Sequence, residues 1–352
     1  MHPTATVDPA VPSAQDDAVK IDCHVHMLPF GGRFGGAVSA RGYRAIGDRF
    51  LRRRLDLASA ASAEEQERRY VDGLAALVRG SELDRAVLLA LDAVHDAGGG
   101  IRLDRTALHA PNDCVARTCA LHPDVFLFGA SVHPYRRDAL DELDRVAALG
   151  AVLVKLLPNS QGFDPADPAL DPYFRKLADL RLPLLVHCGY EHTLPAIDQA
   201  FGDPKRLARA LDAGVTAVVA HAGSAGRFHT RETFGDFLRL LEKHPRCFGD
   251  TSSLANWWRS KYLFALLEPE ALERSYGVRI EDPFSRFVHG SDYPVPVTAF
   301  AFHGRGDRAA RLRAGALENE LQKDVELKRL AGVPDAVLAR GAGILRLGNG
   351  AA

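Results

Sequence analysis

Short runs of apolar, largely β-branched residues recur along the chain, separated by longer stretches whose apolar residues return every three or four positions. The runs lie at residues 19–26, 85–91, 126–132, 151–157, 183–188, 217–221, 247–251 and 286–291. Several are apolar at nearly every position, as in strands buried on both faces of a parallel sheet. The stretches between them predict amphipathic helices over 64–78, 111–121, 138–149, 172–180, 204–213 and 234–244. Eight strands alternating with helices predict an α/β fold closed into a (β/α)8 TIM barrel. Residues 294–352 read as C-terminal helices packed on that barrel. Residues 1–17, rich in Pro, Ala, Asp and Thr, read as a disordered tail without the basic and apolar regions of a signal peptide. The expected organisation is that tail followed by one domain, 18–352. The connection 27–84 is long and opens on Gly31-Gly32-Arg33-Phe34-Gly35-Gly36, which suggests a lid loop.

Composition narrows the function. The chain has 352 residues, 47% hydrophobic and 25% charged, with 44 basic against 45 acidic side chains. That balance carries no electrostatic footprint for nucleic acid or an anionic membrane. The clusters Arg52-Arg53-Arg54 and Arg305 to Arg313 read as solvated helix faces. Five cysteines without a CxxC pair suggest free thiols in a reducing compartment. No apolar run reaches the roughly 20 residues of a membrane span. A cytoplasmic enzyme acting on a small molecule is the expectation.

Chemistry concentrates at the strand ends. The first run ends His24-Val25-His26, and residues i and i+2 of a strand point the same way, so both imidazoles can serve one cation. The fourth contains Lys155, the fifth ends in His187, the sixth in His221, and the eighth runs into Gly290-Ser291-Asp292-Tyr293-Pro294. A barrel builds its active site from the C-terminal ends of its strands. Imidazoles and a carboxylate delivered there suit one divalent metal, Zn²⁺ first, with Mn²⁺, Fe²⁺ or Co²⁺ as alternatives. The following loops supply substrate-side candidates: Asn159, Tyr190, Glu191, His192 and Trp257, with His95, His133, Tyr135 and Asp250 at equivalent places.

This ordered set resembles the amidohydrolase superfamily, in the amidohydrolase-related (family 2) branch that includes aminocarboxymuconate semialdehyde decarboxylase and related lactonases. The resemblance spans about residues 21–296. It implies a distorted (β/α)8 barrel and a metal-dependent enzyme, with a homodimer plausible. Carried over, it makes His24, His26, His187 and Asp292 the metal ligands and His221 a partner of the metal-bound water or substrate. Binuclear relatives carry a carbamylated lysine after the fourth strand. This branch holds a single metal, so Lys155 is expected to be a substrate-side or structural cation. Asp292 has two candidate roles, ligand and proton shuttle, and His221 or Asp292 takes the proton from water. The leading expectation is a hydrolase of a small ester, lactone or amide. The alternatives are a decarboxylase of a small aromatic or unsaturated carboxylic acid, or a barrel that binds without turnover. A decarboxylase often needs an arginine for a second carboxylate, with Arg33, Arg136 and Arg227 as loop candidates.

Overall fold

The computed structural model describes residues 18–32, 35–39, 42, 52–57, 59–226 and 233–347. The sequence-predicted tail, Arg33 and Arg227 lie outside the described residues. Eight parallel strands follow one another in sequence order: β1 Ile21–His26, β2 Arg85–Leu89, β3 Phe126–Ala130, β4 Leu153–Leu156, β5 Leu184–His187, β6 Ala217–Ala220, β7 Cys247–Asp250 and β8 Phe287–Val288. The barrel closes between β1 and the segment after β8: Cys23 N–H donates to His289 O (2.9 Å), Asp292 N–H to His24 O (2.9 Å) and His26 N–H to Tyr293 O (2.9 Å). All eight predicted strands are present. The last, Phe287–Val288, is shorter than the predicted run over 286–291.

Each strand splits its side chains between two cores. Val87, Leu89, Leu153, Leu185, Val218 and Val288 share an inner cluster that Leu345 joins at the base, where Arg346 N–H donates to Val152 O (3.0 Å). Their neighbours Ala86, Leu88, Val154, Leu184, Val186 and Phe287 face the helices in an outer cluster. Burial of both faces explains the near-continuous hydrophobicity of the runs. Helices α1 Ala63–Arg79, α2 Asn112–Leu121, α3 Ala139–Ala148, α4 Asp171–Asp179, α5 Ala208–Asp212 and α6 Phe234–Lys243 occupy the predicted connections. In the fifth, a 3-10 turn over Pro204–Leu207 precedes α5. Helix α1 starts at a capping signal, Ser62 followed by Glu65, and the Ser62 side chain accepts from Glu65 N–H (3.1 Å). Helices α7 Ser260–Leu266 and α8 Pro269–Tyr276, between β7 and β8, are additions that the sequence pattern does not predict.

The C-terminal helices include α9 Arg308–Gly315 and α10 Glu320–Ala331. Helix α10 reaches the barrel through a buried pair, Asp324 and Lys328, and the Lys328 ammonium donates to the Gly290 carbonyl (2.8 Å). It also meets Glu82, which accepts from Arg329 (2.7 Å), Lys20 (2.8 Å) and Gln322 (3.1 Å). Burial opposes the charge on Glu82, but these bonds outweigh it and hold the carboxyl at about 2. A depressed carboxylate stabilises the fold above its unfolded pKa, and that contribution is lost as pH falls from about 4.5 toward about 2. Glu82→Gln is therefore expected to melt below the wild type at neutral pH. The gap should narrow as pH drops through that window, as melting curves at a series of pH values will show.

Candidate active site

At the C-terminal end of the barrel, four imidazoles form a chain. Ring centroids of His24 and His26 are 5.0 Å apart, those of His24 and His221 5.3 Å, and those of His221 and His187 5.0 Å. Asp292 turns into this chain from its left-handed backbone position. Its Oδ1 lies 3.1 Å from His26 Nε2 and 3.4 Å from His24 Nε2, while its Oδ2 lies 3.9 Å from His221 Nδ1. His221 also has a positive φ, +56°, where a β-carbon is unfavourable. Two non-glycine residues held there, both pointing chemistry at one point, mark a functional constraint.

The donors fit a divalent cation. One ring nitrogen of His24, one of His221 and one Asp292 oxygen lie within 4.8 Å of one another. Among the described residues His187 Nε2 is buried without a hydrogen bond, 3.3 Å from Glu191 Oε2, so this imidazole nitrogen is placed to coordinate. Burial, aided by the Lys155 ammonium, pulls His24 down to about 4, and burial with the nearby cations Lys155 and Arg259 holds His187 and His221 well below the usual value. All three are neutral at pH 7, so their lone pairs are available. Burial alone would raise Asp292, but the His26 hydrogen bond and the Lys155 ammonium hold it below the ordinary carboxylate value, so it stays ionised.

Proximity and hydrogen bonding disagree about His221. Distance groups it with the ligands, yet its Nδ1 is 3.1 Å from the Ser252 carbonyl, which only accepts. That nitrogen therefore carries a proton and donates. The bond removes Nδ1 as a ligand atom, because a protonated nitrogen has no lone pair for a metal, while Nε2 keeps its lone pair. His221 is left with Nε2 as its basic atom.

A cavity of about 310 Å³ opens over these groups. His26, Lys155, His187, His221 and Asp292 form its polar wall, and Leu89, Leu91, Leu108, Leu157, Leu194 and Trp258 its apolar one. Lys155 is buried, its Nζ 3.1 Å from His24 Nε2, and burial lowers it to about 8 despite Asp250, Asp292 and Glu191 nearby. Glu191 and His192 also line the cavity. Glu191 is raised by burial, and His192 Nε2–H donates to Ala225 O (3.0 Å).

Three sequence candidates are not among the lining residues. Asn159 is fully buried, and its amide donates to Gly189 O (3.0 Å) and Gln199 Oε1 (3.2 Å), tying two loops together. Tyr190 stacks near His192, with ring centroids 5.4 Å apart, and its carbonyl accepts from Arg259 (3.2 Å). Trp257 is 38% exposed, and its neighbour Trp258 takes the wall position. Arg136 pairs with Asp92 (3.2 Å) and Asp138 (2.9 Å) and is also absent from the wall. His95, His133 and Tyr135 cluster around that same Asp92 side of the barrel, with the His95 and His133 rings 5.3 Å apart.

Two arginines line the cavity: Arg54, expected on a solvated helix face but bonded instead to Pro294 O (2.7 Å), and Arg259, which no motif announces. Arg259 is buried, and among the described residues its guanidinium donates to the Ser224 carbonyl and hydroxyl (3.0 and 3.2 Å) and Tyr190 O, while its Nε meets no hydrogen-bond partner. Asp250 reads in the sequence only as a loop acid. It is fully buried, and its Oδ2 accepts from His24 Nδ1–H at 2.7 Å. Burial would raise this carboxyl, but His24 and the surrounding hydrogen bonds bring it to about 2.

A family model described as Amidohydrolase matches residues 21–327. No curated protein matches the chain by sequence. Among solved structures, an uncharacterised TIM-barrel protein from Bordetella bronchiseptica superposes with a TM-score of 0.55 at 14% identity, over 92% of this chain and 99% of that one. A 5-carboxyvanillate decarboxylase from Sphingomonas paucimobilis gives 0.53 at 16% identity, over 94% and 100%. A probable 2-pyrone-4,6-dicarboxylic acid hydrolase from Acinetobacter baumannii, with citric acid bound, gives 0.51 at 16% identity, over 93% and 96%. At such identities the likeness is one of fold. No helix among the described residues is long and apolar enough to cross a membrane.

Proposed function

The chain belongs to the amidohydrolase family, whose members are metal-dependent and include hydrolases and decarboxylases, and from that premise we propose a hydrolase of a small, carboxylate-bearing ester, lactone or amide. The observation that carries this reading is a neutral, buried base, His221, which lines one cavity with His26, His187 and Asp292 and lies beside the buried His24. Those four residues would hold a divalent metal, zinc first and manganese, iron or cobalt as alternatives. When bound, it supplies Lewis acidity and brings the pKa of a coordinated water toward neutrality.

The chain's own groups do the rest. His221 Nε2 takes the proton from the attacking water. The Lys155 ammonium, desolvated at the cavity floor, faces the negative charge that develops on the substrate oxygen. The leucines and Trp258 exclude bulk water, which strengthens both interactions. Arg259 supports an anionic substrate, because a buried guanidinium whose hydrogen bonds all go to neutral acceptors gains most from a carboxylate.

Arg259 also favours a second reading, decarboxylation of a carboxylic acid, since a carboxylate substrate suits either chemistry. Product analysis separates them: ring opening or ester cleavage without gas supports hydrolysis, and release of one CO₂ per turnover replaces it with the lyase. Under either chemistry, Arg259→Gln is expected to raise KM for a carboxylate substrate about 10- to 100-fold, with a smaller change in kcat. Steady-state kinetics on matched acid and methyl-ester substrates will check this, because only the acid should lose affinity. Metal analysis of the purified protein after zinc repletion tests the site itself. A folded protein that binds no divalent ion defeats the proposal.

A further inference from the structure

We propose that Asp250 is the positioning residue that sets the tautomers of both His24 and His221, the first directly and the second through Ser252. The inference rests on the proposed roles of His24 as ligand and His221 as base.

The donors and acceptors leave one assignment. An ammonium only donates, and Lys155 Nζ is 3.1 Å from His24 Nε2, so Nε2 is the accepting nitrogen. The His24 proton is therefore on Nδ1, which donates to Asp250 Oδ2 at 2.7 Å. On His221, Nδ1 faces the Ser252 carbonyl at 3.1 Å and carries the proton there. Ser252 Oγ lies 2.8 Å from the same nitrogen, so it too accepts, and its own hydrogen turns to Asp250 Oδ1. Oδ1 further accepts the backbone N–H of His221 (2.7 Å) and of Ser252 (3.1 Å). One carboxylate thus leaves a bare Nε2 on two rings and pins the His221 backbone at its positive φ.

Only a group that accepts at both ends can do this. The carboxamide that Asp250→Asn introduces accepts at one end and donates at the other. With its NH₂ toward His24, that ring must move its proton to Nε2 and lose the lone pair proposed for the metal. With its NH₂ toward β6, two backbone N–H groups meet a donor, and the Ser252 hydroxyl turns over toward His221. Ser252→Ala is narrower. It cuts the arm to His221, where the backbone carbonyl of residue 252 still accepts, and leaves the His24 arm whole.

The test uses ¹⁵N NMR of the histidine rings in the full chain before zinc is added, then zinc affinity by chelator competition. The wild type is expected to show both His24 and His221 protonated at Nδ1. Asp250→Asn should show one of the two shifted toward the Nε2–H form and a zinc affinity lower by about 10- to 100-fold, the usual effect of losing an outer partner of a ligand. Ser252→Ala should move the His221 ring resonances alone, keep zinc affinity within about twofold and lower kcat about fivefold, as for one lost hydrogen bond. Unchanged tautomers and affinity in Asp250→Asn overturn the inference, as does a Ser252→Ala variant that disturbs His24 equally. If Asp250→Asn does not fold, the Ser252→Ala spectra decide. Tautomers that behave as expected in a protein that binds no zinc support the positioning role and defeat the metal reading instead.

Discussion

His221→Asn is expected to lower kcat by about 10²- to 10⁴-fold while leaving the bound-metal stoichiometry unchanged. The size is that of losing a positioned general base. Asparagine is the informative replacement because it tolerates the left-handed backbone that His221 adopts at φ +56°, so the turn directly after β6 is preserved. The unchanged stoichiometry follows from the proposed ligand set, His24, His26, His187 and Asp292, in which His221 serves as the base. If His221 were a ligand, as its closeness to His24 and Asp292 suggests, metal and activity would fall together. Elemental analysis beside kcat separates the two roles in one preparation.

Asp292→Asn is expected to have the opposite signature. It too preserves a positive φ, here +68°, and it removes the one negative charge that reaches His24, His26 and His221 at once. A ligand carboxylate neutralises the cation as well as coordinating it. Its loss should weaken zinc binding by more than the roughly 100-fold that marks an outer partner, and reduce activity to background. Zinc raises the melting temperature of any protein that binds it only when folded. That rise should be present in the wild type and absent in the variant, while the melting temperatures without zinc stay close. Equal zinc affinities in the two proteins would sink the assignment.

The strands that carry His24, His187 and His221 were legible because burial on both faces leaves an apolar run that ends abruptly in a polar residue. The same rule places Lys155 inside β4. Local pattern says little about irregular backbone. Trp257 and Trp258 are adjacent in a turn-rich loop, and neither periodicity nor composition tells which ring enters the cavity; the fold chooses Trp258. Asn159 has the polarity of a pocket residue but spends its amide on backbone and glutamine acceptors, a use that depends on residues 30 and 40 positions away. Helices α7 and α8 lie between the seventh and eighth apolar runs, where the sequence pattern predicts no helix. Asp250 is the most instructive case. An acid after a short strand is an ordinary turn former in sequence, and its partner His24 lies 226 positions earlier. Only closure of the barrel brings them together. Arg259 belongs to the same class, since its place in the cavity is set by Ser224 and Tyr190, 35 and 69 positions earlier.

The bond from Lys328 to the Gly290 carbonyl bears on how the protein is made. Gly290 opens the turn that presents Asp292, and the ammonium holding it comes from a helix synthesised well after that turn. A nascent chain that has just released β8 from the ribosome therefore already contains every proposed ligand, but not the clamp on the last of them. Docking of α10 secures the turn that presents Asp292, so metal uptake during biosynthesis should trail assembly of the eight strands.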